Sequence, residues 1–282
     1  MASFSLTVED CSPLVTYEPA GAWADSSQDD PLLPSYSGQS YHSTSTQGAT
    51  ATIDFYGTGL TVLGGRRTNY GNFAISVDGN ILVQSTARGS ENATQQTLGT
   101  ISDLQPGRHR AVIENIGGLP VDIDSFVIVD AVGLANDELD TKVYDDMDPV
   151  MSYLPSQSAW GVNRLPMFQD GSIHFSQRPD AVVSMQFWGE AIAVYGTVSP
   201  DHADFKFTLD SDISTSSGGS NGGVNQLRPR TLLYYRSGLG PSRHTFSLAP
   251  NSPSPNAPFI DLDSNSIYSV PVRNFSGIVN FW

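Results

Sequence analysis

Apolar residues recur with a period of two along most of this chain. In TATIDFYG, Ala51, Ile53 and Phe55 alternate with Thr50, Thr52 and Asp54, and LTVLG and FAISVDG continue the pattern. In VVSMQFWG, Val183, Met185 and Phe187 alternate with Val182, Ser184 and Gln186, which places Trp188 on the outward side. Residues two apart share one face of a strand, so each run predicts a half-buried β-strand. No segment combines a 3.6-residue apolar period with capping residues, and no helix is expected. Clusters of Gly, Pro, Asn and Ser separate the runs at the spacing of an antiparallel sandwich. The stretch STSSGGSNGG, Ser214 to Gly223, reads as a mobile loop.

The same landmarks occur twice in the same order. VEDCSPLVTYEPAGAW carries Asp10, Pro13, Tyr17 and Trp23, and about 136 residues later YDDMDPVMSYLPSQSAW carries Asp146, Pro149, Tyr153 and Trp160. Gly57 and Gly64 match Gly189 and Gly196, and Asp78 and Asp210 each follow fourteen residues after the second glycine. Arg108 and His109 match Arg243 and His244, and VDIDSFVIV, with Asp122 and Asp124, matches FIDLDS, with Asp261 and Asp263. This order predicts two copies of one β-sandwich, residues 1–136 and 137–282, with a polar break near residues 133–142. Between the copies one segment departs: GGRRTNYGN in the first is replaced by a loop with Thr197, Val198, Pro200, Asp201 and His202 in the second.

These landmarks carry a resemblance. The order Asp–Pro–Tyr–Trp, then GATAT with a following GTG, then the Gly-Arg-Arg-x-Asn-x-Gly loop and VDG, resembles tandem-domain extracellular proteins of mushroom-forming fungi. The likeness runs from about Val8 to Val270. It implies an all-β chain of two tandem jelly-roll domains of the galactose-binding-like type, the fold of many carbohydrate-binding modules. It also implies a secreted or cell-surface protein, although an intracellular one is compatible with the residues. Fold by itself does not choose a function.

Charge narrows the partners. Charged residues are 15% of the chain and the net charge is −15. Residues 1–140 hold 5 Arg, no Lys and 17 acids, for −12, and the remainder carries −3. A surface this acidic repels phosphate backbones and anionic headgroups, so nucleic acid and membrane surfaces are not expected partners. The lone Cys11 allows no internal disulfide. The start MASFSLTVED has neither a basic nor an apolar segment, so no signal peptide or membrane insertion is expected of it. Asn92-Ala93-Thr94 and Asn274-Phe275-Ser276 are glycosylation triplets.

The candidate chemistry is sparse. His42, His109, His174, His202 and His244 show no HExxH spacing, there is no GxSxG, and the GxG of GTGLTVLGG lies within strands. His109 and His244 read as structural histidines. In the first-copy loop, Arg66, Arg67, Asn69 and Tyr70 offer a donor fork, an amide and a phenol, a set suited to a glycan, above all an acidic one. Trp23 and Trp188 are candidate stacking platforms, with Tyr234, Tyr235, Arg228, Arg230 and Arg236 as further candidates in the second copy. The alternative for Arg66 and Arg67 is pairing with surrounding acids. Asp122 and Asp124 lie two apart and read, in order, as an exposed polar face, as calcium ligands, or as glycosidase acids. Calcium at Asp10, Asp124, Asp146 and Asp263, with Asp145 as alternative, is the one cofactor to consider. Three functions follow: non-catalytic binding of a glycan or cell-wall polysaccharide, glycan cleavage by paired carboxylates at a domain cleft, or structural assembly.

Overall fold

A computed structural model describes residues 1–219 and 223–271. The second glycosylation triplet lies outside these residues. The protein is all-β: antiparallel sheets with only four short 3-10 turns and no α-helix among the described residues. No helix there is long and apolar enough to cross a membrane.

In the first half, a four-stranded sheet (Ala2–Glu9, Ser125–Val132, Gly59–Arg66, Ala93–Ile101) faces a five-stranded one. The latter comprises Val15–Glu18, Thr50–Gly57, Gly107–Asn115, Asn72–Val77 and Asn80–Thr86. The inward residues that the alternation picks out, Ile53 and Phe55, meet Phe73, Ile75, Ile113 and Phe126 in a fully buried core. Truncating Phe55, Phe73 or Phe126 to alanine would leave a void and cost about 3–5 kcal/mol. A small sheet of Val121–Ile123, His42–Thr44 and Ala24–Asp25 closes one end.

The second half is built of longer strands, in a seven-stranded and a three-stranded sheet. Val182–Val198 runs unbroken where the first half has Thr50–Gly57 and Gly59–Arg66, and a register shift between Gly189 and Ala191 marks the corner. A β-bulge of this kind bends a strand from one sheet to the next. Arg228–Asn251 likewise replaces two strands, and Phe187, Phe205, Phe207 and Phe246 fill the core. The expected loop at Ser214 starts later than its composition suggests, because Asp212–Ser216 pairs with Asp204–Leu209. The polar break likewise ends in a strand, Asp140–Asp145, paired with Ser264–Ser269.

No β-ladder joins the halves among the described residues, yet side chains cross freely. Phe4 stacks on Tyr268 at 4.0 Å, Tyr235 donates to Asp130 at 2.6 Å, and Ser12 donates to the Leu232 carbonyl at 2.6 Å. Asp25 is paired with Arg228 at 2.8 Å, both side chains being buried. The seam between the halves is therefore a packed interface with a polar margin.

Candidate functional site

Gly64 to Arg66 belong to the strand Gly59–Arg66, so the loop expected from Gly64 to Asn72 is confined to residues 67–71, and it is packed inward at Arg67 and Tyr70. Gly65 donates its N–H to Asp122 Oδ1, and a Cβ at Gly65 would lie 2.6 Å from the Tyr36 hydroxyl. Only glycine lets the backbone approach so closely. Tyr36 and Tyr70 both donate to Asp122 Oδ2, at 2.5 and 2.6 Å. Arg67 stands between the rings of Tyr36, Tyr41 and Tyr70, 5.4 to 5.5 Å from their centroids, and bonds Asp30 at 2.6 Å. Arg66 is held by the carbonyls of Thr86 and Thr97. The loop-borne sugar site expected from Arg67 and Tyr70 is thus corrected: these side chains satisfy a buried aspartate and each other. Asn69 alone of the four is exposed.

The rewritten loop of the second half performs the same task with other atoms. Thr197 donates its N–H to Asp261 Oδ1 at 2.8 Å and its hydroxyl to Oδ2, and His202 Nε2 lies 2.9 Å from Oδ2. Burial works against charge on His202, but Asp261 and Asp201 hold its pKa above the ordinary value. Tyrosines backed by a guanidinium in one half correspond to a threonine and an imidazolium in the other. The loops differ because each solves one desolvation problem in its own way.

Asp122 and Asp124 do not form an exposed face. Both are fully buried. Asp122 lies under the tyrosine lid, its pKa raised by burial, out of reach of a substrate. Asp124 takes the Ser37 N–H on Oδ1 at 2.9 Å, and its Oδ2 finds no partner among the described residues. Beside it Glu9 takes the Ser37 hydroxyl on Oε1 at 2.8 Å, and its Oε2 is likewise buried without a partner. Burial, reinforced by Glu9, lifts the Asp124 carboxyl to about 8, and burial lifts that of Glu9 to about 7. The arrangement recurs: Asp263 Oδ1 takes the Gln169 N–H at 2.8 Å, while Asp263 Oδ2 and Asp145 Oδ1 are buried without partners. Burial raises Asp263 to about 7 and, with Asp146, Asp145 to about 6.

Orphaned buried carboxylate oxygens are rare, and a hard cation with an oxygen shell fits them. Asp10 and Asp146, expected as calcium ligands, do not belong to this set. Asp10 is consumed by Ser40 and His42 at 2.5 and 2.7 Å, and Asp146 by Ser172 and His174 at 2.8 and 2.6 Å. Their chain neighbours Glu9 and Asp145 instead carry the buried oxygens without partners. The cluster of Asp10, Asp25 and His42, close enough for a metal, is also spoken for. Both His42 nitrogens meet oxygen acceptors, Asp10 and the Gly223 carbonyl, so the ring is a cation, and Arg228 neutralises Asp25. A doubly protonated imidazole has no lone pair for a metal.

A groove of about 590 Å³ runs along the seam. Asp54, Tyr56 and Arg108 line it from the first half, and Asp212, Tyr234 and Arg236 from the second. Arg236 lies over the Tyr56 ring at 5.0 Å. Arg110 clamps Asp54 at 2.8 and 2.9 Å and holds its carboxyl below the usual range, so Asp54 stays ionised. Arg108 lines the groove and reaches Asp54 only at 3.4 Å, its other donors having no partner among the described residues. The groove therefore offers phenol faces, guanidinium donors and carboxylate acceptors, with Asp54 held ionised. The raised carboxyls lie elsewhere. Trp23 is half-buried against Tyr17 and is no open platform, whereas Trp188 is 68% exposed.

No family model and no curated protein matches the chain. Solved structures that it resembles include carbohydrate-binding modules and glycan-active proteins. A Paenibacillus xanthan lyase shares 14% identity at a TM-score of 0.34, over 88% of this chain and 25% of the lyase. The chain thus spans about a quarter of that enzyme. The CBM36-1 domain of a multidomain xylanase from the Trinervitermes trinervoides hindgut metagenome shares 14% at 0.33, over 46% of this chain and all of that domain. The tandem CBM22-1–CBM22-2 domains of Paenibacillus barcinonensis Xyn10C share 8% at 0.29, over 94% and 97%. At this level of spatial agreement no functional residue carries over.

Proposed function

We propose that the chain is a non-catalytic glycan-binding protein, built of two units at 1–136 and 137–282, that works outside the cell. Its sugar site is the seam groove. The observation that carries this reading is the set Tyr56, Tyr234, Arg108 and Arg236 around one groove, with Asp54 held ionised by Arg110. Sugar rings stack on aromatic faces, and vicinal hydroxyls or a carboxylate match a guanidinium fork. Arg108, with free donors, favours an acidic glycan. General-acid cleavage requires a protonated carboxyl at the bond, and Asp54 is held ionised.

A glycan array probed with the full chain tests the reading. Binding that disappears in Arg108→Ala, with unfolding unchanged, supports it; silence across neutral and acidic glycans overturns it. We propose further that Glu9 with Asp124, and Asp145 with Asp263, each hold a calcium ion. Such an ion neutralises buried carboxylates and ties the first strand of each half to its last. It supplies rigidity, with no chemical step routed through it.

A further inference from the structure

Each half contains the same buried histidine seat. Asp10 meets His42 Nδ1 at 2.7 Å in the first, and Asp146 meets His174 Nδ1 at 2.6 Å in the second. A serine hydroxyl, from Ser40 or Ser172, fills the other carboxylate oxygen. Tyr17 stacks on His42 at 4.5 Å and Tyr153 on His174 at 4.3 Å, and each phenol donates to the backbone carbonyl of its aspartate. The two histidines are only 3% and 2% exposed.

The seats differ at the second ring nitrogen. His42 Nε2 meets the Gly223 carbonyl of the second half at 2.6 Å, and the following Val224 is buried in the same apolar cluster as Cys11. His174 Nε2 has no partner among the described residues, and His174 lines a cavity of about 490 Å³. Met147, which stands where the first half has the buried Cys11, lines that cavity and is 46% exposed. A buried side chain ordinarily has its polar atoms paired. The seat is closed in one half and open in the other.

The occupant of the closed seat indicates the chemistry of the open one. With Nδ1–H given to Asp146, a carbonyl at Nε2 is met by a second N–H, and the imidazolium and its aspartate are neutral together. The lining adds Asp148 and no Lys or Arg, which repels a carboxylate and admits an uncharged carbonyl. Met147 and Met151 offer adaptable apolar contact to a small aliphatic group beside it. We propose that the His174 cavity binds an uncharged amide, its carbonyl on Nε2 and its aliphatic neighbour on the methionines, as Gly223 and Val224 fill the seat of the first half. An N-acetylated sugar and a peptide both present this group. The cavity shares no lining residue with the seam groove and does not depend on what that groove binds.

Proton–nitrogen correlation spectra of the histidine rings in the full chain test this. The probes are an N-acetylglucosamine oligomer and N-acetyl-glycyl-valine amide, with sodium acetate as the charged control. A saturable shift of the His174 Nε2 signal is expected with at least one amide, and which of them acts identifies the source. The His42 signals stay fixed, because Gly223 already holds that ring. Met147→Trp, at an exposed position, fills the cavity and is expected to abolish the response at an unchanged melting temperature. Arg108→Ala leaves the response intact, which separates this site from the groove. A His174 ring unmoved by both amides, moved more strongly by acetate, or moved equally in Met147→Trp would overturn the proposal.

Discussion

The Tyr70 hydroxyl donates to Asp122 at 2.6 Å, so a residue placed in a candidate binding loop is part of the lid on a buried carboxylate. Tyr70→Phe leaves Asp122 one donor short, which destabilises by about 1–3 kcal/mol. Arg67→Ala strands Asp30, and breaking a buried pair costs about 3 kcal/mol or more. Urea unfolding measures both. If Arg67→Ala instead abolishes glycan binding at unchanged stability, the loop and not the seam is the sugar site.

His202 gives the second half a pH dependence that the first half's tyrosine lid lacks. Its folded pKa lies above the ordinary value, so its stabilising contribution is full below about 6.5 and is lost as pH rises through the folded value. The stability gap between wild type and His202→Gln is therefore expected to narrow from pH 6 to pH 9. A gap that widens over that range contradicts a charged His202.

Glu9 and Asp124 titrate at about 7 and 8, far above the usual carboxyl values of about 4. The folded state keeps protons that the unfolded chain has released, so stability is greatest at low pH and falls as pH rises toward 8. In chelator the melting temperature should fall between pH 5 and pH 8, and calcium should restore it most at pH 8. Asp124→Asn, which removes one charge, should flatten the fall and reduce calcium uptake in calorimetry. A calcium-independent melting curve at pH 8 removes the cation from the account.

Arg228 lies outside the groove but holds Asp25 across the seam at 2.8 Å. Arg228→Ala leaves that carboxylate buried and unpaired, at a cost of about 3 kcal/mol. Because the groove is shaped by both halves, glycan affinity should fall with it. Titration calorimetry alongside urea unfolding separates this from Arg108→Ala, which should lower affinity alone.

Period-two alternation was enough to place the strands. Ile53, Phe55, Val183, Met185 and Phe187 point inward and Trp188 outward, since a strand's faces are set by local geometry. The Asp122–Asp124 segment misleads for the same reason. Alternation assigns its aspartates to solvent, but Val121, Asp122, Ile123 and Asp124 are all buried. Their cover comes from Ser37, 87 positions away from Asp124, and from Tyr36 and Tyr70, 86 and 52 positions away from Asp122. Glu9 immediately precedes Asp10 in the chain, and the backbone turns their side chains to different neighbours, Ser37 for Glu9 and Ser40 and His42 for Asp10.

By itself, then, the sequence determined the all-β class, the strand faces and the recurring landmarks, all properties of neighbours along the chain. The tertiary structure decided which charges are buried, which loops are filled from within, and that Tyr56 and Arg108 share a groove with Tyr234 and Arg236. Burial and pairing depend on contacts between distant segments, and a carboxylate's chemistry follows from whatever packs over it.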